Sequence, residues 1–292
     1  MNLLDKQQIL TAEAWRIEYA SKPLPNRTPL TVIRRPRAAW AYGQAIEQTA
    51  VLAERATATV DADDFTFVFV RAGEVTPYEV QKQVESWMAG RPGESGGPIE
   101  IQFRGERLIW RQRRAVCFGA PHSRDEVLAA VCHFSFCERE LSRIEEKVEA
   151  TWPTLQNDTY LTDKLSGRDL KNRAHVGAMT RTATDIRVDY VRIQTALESP
   201  ATELAGLSRR LFAELAVQAN VVDRLRLLED AVEVMGEFYR FVQEQLTDLR
   251  SYRGEVRGNA LILIVLIIEL LITIYGVFST EILNFFHYVS PS

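Results

Sequence analysis

Three cysteines and four histidines are all that 292 residues offer for thiol or imidazole chemistry. Cys117, Cys132 and Cys137 make no even set for a disulfide framework and suit a reducing compartment. No C-x-x-C, H-E-x-x-H or G-x-S-x-G occurs, so the common redox, zinc-hydrolase and serine-hydrolase signatures are missing. Cys132, His133 and Cys137 lie close together, but residues five apart on a helix point about 140° away from each other. Their thiols do not converge on one ion. Cys117 and His122 can in principle complete a site, but buried structural cysteines are the better reading, with no metal and no cofactor expected. A dominant charge is lacking too. The formal net charge of −4 indicates neither a global nucleic-acid binder nor an acidic tail. There is no internal repeat and no long low-complexity tract. Residues 1–20 carry Asp5, Glu13 and Glu18 and hold no continuous apolar run, so no signal-peptide core is visible. Gly90, Gly93, Gly96 and Gly97 are followed by no G-K-S/T and by a strand pattern, which predicts a mobile loop and not a phosphate cradle.

One long apolar run is present. Residues 260–278 read ALILIVLIIELLITIYGVF, nineteen residues with fourteen Leu, Ile, Val or Phe and one charge, Glu269. As a helix this run rises roughly 28 Å, close to the ~30 Å hydrocarbon core. Each apolar residue favours insertion by about 0.3–0.6 kcal/mol, and a charge at the midpoint opposes it by roughly 2.5–3.5 kcal/mol, so the sum favours spanning. A buried core helix is the competing reading, but the run is apolar on every face. Tyr275 and Tyr288 suit a headgroup boundary. Arg250, Arg253 and Arg257 precede the span, and no Lys or Arg follows it. The positive-inside rule then places the large N-terminal part in the cytoplasm or an equivalent matrix, as in a single-pass, tail-anchored membrane protein.

The rest reads as an α+β chain. Residues 1–29 hold a helix over 5–19, with Ile9, Leu10, Ala14 and Ile17 on one stripe, then the breaker-rich SKPLPNRTP linker. An α+β domain follows over 30–120. Its strand signals are TVIRR (31–35), FTFVFVR (65–71), IEIQFR (99–104), RLIWR (107–111) and RAVCFG (114–119), with a turn at Gly105-Glu106. An amphipathic helix over 77–89 carries Val80, Val84, Trp87 and Met88. A helical domain spans 121–257. Ser123 and Glu126 match a capping box ahead of a helix over 128–152, ended by Pro153. A helix over 181–198 stops at Ser199-Pro200, a pair that also suits the next helix start. From Leu204 to Leu249 the apolar residues step by three and four, except near 218–219, predicting one long helix of about 75 Å if unbroken. Its coiled-coil-like seam suits packing onto helices of the same chain better than onto a second chain. Gly254 and Gly258 predict a flexible joint before the membrane helix (258–280), and a short tail (281–292) closes the chain.

Two groups invite a functional reading. Arg104, Arg107, Arg111, Arg113 and Arg114 crowd residues 101–114 with Phe103 and Trp110 between them, and Arg34, Arg35 and Arg37 form a smaller group. Clustered arginines on a sheet with aromatic neighbours bind phosphates and stack bases; the structural alternative is a sheet edge charged against aggregation. Anionic headgroups are a third target for a tethered domain. Glu269 is either a membrane contact point for a second copy or another membrane protein, or a single charge tolerated in a very apolar helix. The mixed charges of 138–149 (Glu138, Glu140, Glu145, Glu146 and Glu149 with Arg139, Arg143 and Lys147) read as a solvated helix face.

In CHFSFCERELSRIEEKV (132–148), Leu141, Glu145 and Val148 fit the pattern L-x-x-x-E-x-x-V. VVDRLRLLEDAV (221–232) carries Arg224 and Leu225 in an L-N-x-R-L-like helix, with Val222 where Asn is usual. ILIVLIIEL (262–270) places Glu269 within a closing apolar segment. Together these resemble the family called required for meiotic nuclear division 1, membrane-anchored proteins of mitochondria and bacteria. The A-Q-S and L-E-W of that family are absent, and the resemblance covers the second half of the chain. It implies a non-enzymatic protein, and for the mitochondrial members an inner-membrane role in the translation of membrane proteins. The expected function is a membrane-anchored adaptor or scaffold. The alternatives are a tether for RNA or ribosomes through the arginine cluster, and a membrane-bound enzyme that a pocket with convergent carboxylates would reveal.

Overall fold

A computed structural model of the chain describes residues 12–46, 65–71, 78–89, 97–162, 169–199 and 204–289. Two compact units result, Met1–Thr154 with Thr184–Val234, and Leu155–Ala183 with Met235–Ser292. The fold is α+β.

Among the described residues, the first unit is built on β1 (Ala12–Ala20), β2 (Thr31–Ile33), β3 (Ala39–Ile46), β4 (Phe65–Arg71), β5 (Ile99–Phe103), β6 (Glu106–Arg111) and β7 (Arg114–Gly119). They form one sheet in the order β2-β3-β1-β4-β7-β6-β5, antiparallel except where β4 and β7 run parallel. The central β4 explains its own sequence. Val68 and Val70 join Ala14, Ile109, Val116 and Phe118 on one face, packed against Val84 and Met88 of α1 (Tyr78–Met88). Phe67 lies on the other face and stacks on Trp15. A strand buried on both sides has no polar face to alternate with, so FTFVFV is apolar except for the half-buried Thr66 near its start.

The opposite face carries Tyr19 and Trp110, which meet α2 (Arg124–Asp158). Trp110 lies edge-on to Phe134 at 5.0 Å and donates its Nε1–H to Ser135 Oγ at 2.9 Å. Tyr19 packs on Phe136 and donates to the Cys132 carbonyl at 3.0 Å. Phe134 in turn meets Phe212 of α4 (Gly206–Gln218). The first unit also takes in part of α3 (Arg173–Glu198) and the start of α5 (Val221–Val289). Lys147 of α2 pairs with Asp189 of α3 at 2.7 Å.

Several expectations are corrected. The helix over 5–19 is the strand β1 from Ala12 onward. Trp15, Ile17 and Tyr19 alternate with period two, and pairing with β3 and β4 on both sides outweighs the weak helical stripe. The positions 5–11, with Ile9 and Leu10, lie outside the described residues. So do Gly90, Gly93 and Gly96, the Val80 side chain, Pro200, and the side chains of Tyr275 and Tyr288. Pro153 does not end α2, which runs to Asp158. Pro153 and Glu149 are both exposed, so the Glu149 carbonyl that loses its partner faces water. Ser123 and Glu126 form no capping box: Ser123 Oγ donates to the Ala120 carbonyl, and Glu126 accepts the Leu207 N–H. The 75 Å helix is divided where its apolar stepping failed. Asn220 takes φ 51° between α4 and α5, a left-handed position that Asn tolerates well. Gly254 and Gly258 make no joint, because α5 is helical through both.

In the second unit, Asp158 is buried and joins two elements. It accepts from Tyr239 Oη at 3.0 Å and pairs with His175 Nε2 at 2.8 Å. Burial, then the neighbouring Asp158 carboxylate, pushes the Tyr239 hydroxyl well up. Met235, Tyr239, Val242 and Leu246 of α5 are buried along the same stripe, with Leu161 and Val176 also buried in this unit.

Candidate functional site

The apolar stretch of α5 stands clear of protein. Leu261 to Ile272 are all exposed, with Leu266 at 56% and Ile267 at 48%. A core helix of a soluble domain would bury such residues. Among the described residues, Val221–Thr273 is the one helix long and apolar enough to cross a membrane, and none of its apolar window is buried. Glu269 is exposed on this stretch, and Thr273 Oγ1 donates to its backbone carbonyl at 2.9 Å.

The arginine cluster is dispersed by the sheet. Arg111 is buried and donates through Nη1 to the carbonyls of Met88, at 3.0 Å, and Ala89. Arg114 Nη1 donates to the Trp87 carbonyl at 2.7 Å, with its guanidinium over the Trp87 ring. These carbonyls lie at the C-terminal end of α1, whose last turn has no basic residue of its own. Two arginines of the sheet therefore cap that helix and sit at the negative end of its dipole. Arg107 is tied to Glu100 by two hydrogen bonds, at 2.8 and 3.1 Å, and these hold the Glu100 carboxyl below its usual range. Arg104 and Arg113 are exposed, one in the turn before β6 and one in the turn after it. The five do not form one face.

The cysteines are all free and buried, and burial raises each thiol. His133 is buried, with Nε2 3.0 Å from Thr31 Oγ1, and burial lowers its pKa to about 4. Among the described residues, no group of three or more His, Cys, Asp or Glu side chains is arranged to hold a metal ion.

A feature that sequence reasoning missed lies on α2. Its carboxylates are solvated only in part: Glu146 and Glu149 are exposed as expected, but Glu138 and Glu140 are 8% and 9% exposed. Arg224 of α5 reaches across to Glu145 with Nε at 2.9 Å and Nη2 at 2.8 Å, and to Glu138 with Nη1 at 2.6 Å. The second Glu138 oxygen, Oε2, is buried and has no hydrogen-bond partner among the described residues. Burial raises the Glu138 pKa against the pull of Arg224, and Glu145 adds to the rise. These groups line an open cavity of about 350 Å³, together with Trp110 and Arg111 of β6 and Ser142 of α2. The only signal available in sequence was a pair of motif fragments, Glu145 in one and Arg224 in the other, 79 residues apart.

No family model matches the chain, and no curated protein matches it. Among solved structures, the chain is similar to the full-length CmaX protein at 11% identity and a TM-score of 0.35, over 85% of this chain and 80% of that one, too distant a likeness to carry a functional argument.

Proposed function

We propose that the protein is a non-enzymatic, membrane-anchored adaptor that presents a folded α+β head beside a bilayer. One observation carries the reading: a continuous exposed apolar stretch, Leu261 to Ile272, on the same helix that begins in the head. Exposing so many large aliphatic side chains to water is costly, and lipid removes that cost. The arginines Arg250, Arg253 and Arg257 ahead of the stretch favour a cytoplasmic head. The resemblance to the meiotic nuclear division family agrees with this reading through its second half. The partner of such an adaptor is a membrane protein or a second copy of this chain, met through Glu269 or an exposed helix face.

The test is an extraction and a pull-down. The full-length protein is expected to stay in the pellet after alkaline washing of membranes. Leu266→Asp, which adds a second acidic group one turn from Glu269 at a cost of about 2.5–3.5 kcal/mol, shifts it toward the supernatant. Wild-type protein in the supernatant sinks the anchor. A pull-down from gently solubilised membranes, with and without RNase, then separates the partners. Membrane proteins retained after RNase support the adaptor; ribosomal proteins lost after RNase support an RNA tether in its place. The enzyme alternative draws on the cavity with two carboxylates. Both are clamped by Arg224, which suits holding a guest better than moving protons in a reaction.

A further inference from the structure

We infer that the cavity on α2 is a binding site for a small organic cation carrying N–H donors, an ammonium or guanidinium group, anchored by Glu138. Its size, about 350 Å³, is at the lower end of small-molecule sites and suits a guest of modest length. Two guanidiniums, Arg111 and Arg224, and two carboxylates, Glu138 and Glu145, line it, but the ion pairing around Glu138 is uneven. One guanidinium, Arg224, serves two carboxylates, Glu138 and Glu145. Arg224 is the cation that acts on Glu138, and Glu145 acts on it as a repelling neighbour. Arg111 lines the same cavity but spends its Nη1 on the backbone carbonyls that end α1.

The hydrogen-bond count points the same way. Glu138 is 8% exposed and keeps a buried Oε2 with no partner among the described residues. A buried acceptor without a donor is costly, and a guest N–H reached by rotation of the Glu138 side chain meets it. Trp110 supplies an aromatic wall, the other common element of ammonium recognition. A divalent metal fits poorly, because among the described residues no third His, Cys, Asp or Glu side chain converges with Glu138 and Glu145 to complete an oxygen-rich shell. A cation bound beside Glu138 also favours its ionised form, so binding strengthens as pH rises through the raised Glu138 pKa, with Glu145, Arg224 and Arg111 as the other charged groups on the cavity wall.

The experiment titrates full-length protein in detergent with n-butylammonium and n-butylguanidinium, with butyrate and n-butanol as controls of matched length, read by calorimetry. Saturable binding of at least one cation is expected, with both controls silent. Glu138→Gln keeps the shape and removes the charge, and is expected to weaken the cation at least tenfold. Ala219→Leu narrows the cavity from the end of α4 without touching any charge, and is expected to do the same. Circular dichroism checks that each variant is folded. Butyrate binding while the cations are silent would show that Arg111 and Arg224 host an anion, and overturns the assignment. So does an absence of binding by any probe, which leaves the cavity to water, or cation binding that neither variant weakens. None of these outcomes bears on the anchor, which the extraction test decides by itself.

Discussion

Lowering the pH from 7 to 4 brings a proton to His133, which the fold keeps neutral. The ring is buried beside Thr31, with Nε2 3.0 Å from its hydroxyl, and burial lowers its pKa to about 4. An unfolded histidine titrates near 6.5, so between about pH 6.5 and 4 the unfolded chain binds a proton that the folded chain refuses. Stability from this residue is therefore full above pH 6.5, falls as the pH drops toward 4, and changes no further below that. At 1.36 kcal/mol for each pH step in which only the unfolded chain is charged, less the incomplete titration at both ends, the loss between pH 7 and pH 4 is about 3 kcal/mol. His133→Gln retains a partner for Thr31 and cannot titrate. Urea unfolding of both proteins in detergent, followed by tryptophan fluorescence at pH 7, 5.5 and 4, isolates the effect. Groups such as Glu13 and Glu100, whose depressed values also cost stability on acidification, act in both proteins and cancel. The wild type is expected to lose about 3 kcal/mol more than His133→Gln. Equal losses, within about 0.5 kcal/mol, would refute the claim that the fold withholds a proton from a buried imidazole that the unfolded chain takes up.

Arg111→Ala removes the side chain that closes α1 and is expected to cost about 1–3 kcal/mol by chemical denaturation, while Arg113→Ala, at an exposed turn, stays within about 0.5 kcal/mol. Arg224→Met leaves Glu138 buried without its cation and is expected to cost about 3–5 kcal/mol; adding Glu138→Gln should recover part of that loss, and no recovery would mean the pair is not coupled. Tyr239→Phe leaves buried Asp158 with His175 alone and is expected to cost about 1–2 kcal/mol, read as a lower midpoint of thermal unfolding.

How much of this was legible depended on whether the signal was local. β4, α1 and the hairpin strands β5 to β7 could be read because their residues declare their own burial. β1 could not, since its alternation emerges only once β3 and β4 lie on either side of it. β3, with alanines and Gly43 in place of β-branched residues, gave no strand signal, and its pairing with β1 supplies what propensity lacks. The apolar span on α5 was the plainest feature, because composition alone decides whether a helix can sit in lipid. The Glu138–Arg224–Glu145 group was hidden for the opposite reason. Glu138 resembles its charged neighbours until α5 delivers Arg224 from 86 residues away.

The arginines of residues 101–114 raise a question that the sheet answers with a number. In a hairpin, alternate residues share a face, so Arg107 and Arg111 point one way, and Arg114, paired with Arg111 in register, joins them. That face packs on α1, and all three are held there, by Glu100 or by backbone carbonyls. Arg104 and Arg113 remain, and the length of β6 separates them by roughly 20 Å. A single-stranded RNA can therefore meet two arginines of the cluster at most. Each phosphate contact contributes about 0.7 to the slope of log affinity against log salt, so the cluster predicts a slope of about 1.4, against about 3.5 if all five bound. Fluorescence anisotropy with a labelled single-stranded RNA, from 50 to 300 mM salt, measures it. A slope near 3.5 that falls on Arg111→Gln would show that Arg111 leaves the end of α1 to bind phosphate, and the capping role argued from its hydrogen bonds would be wrong.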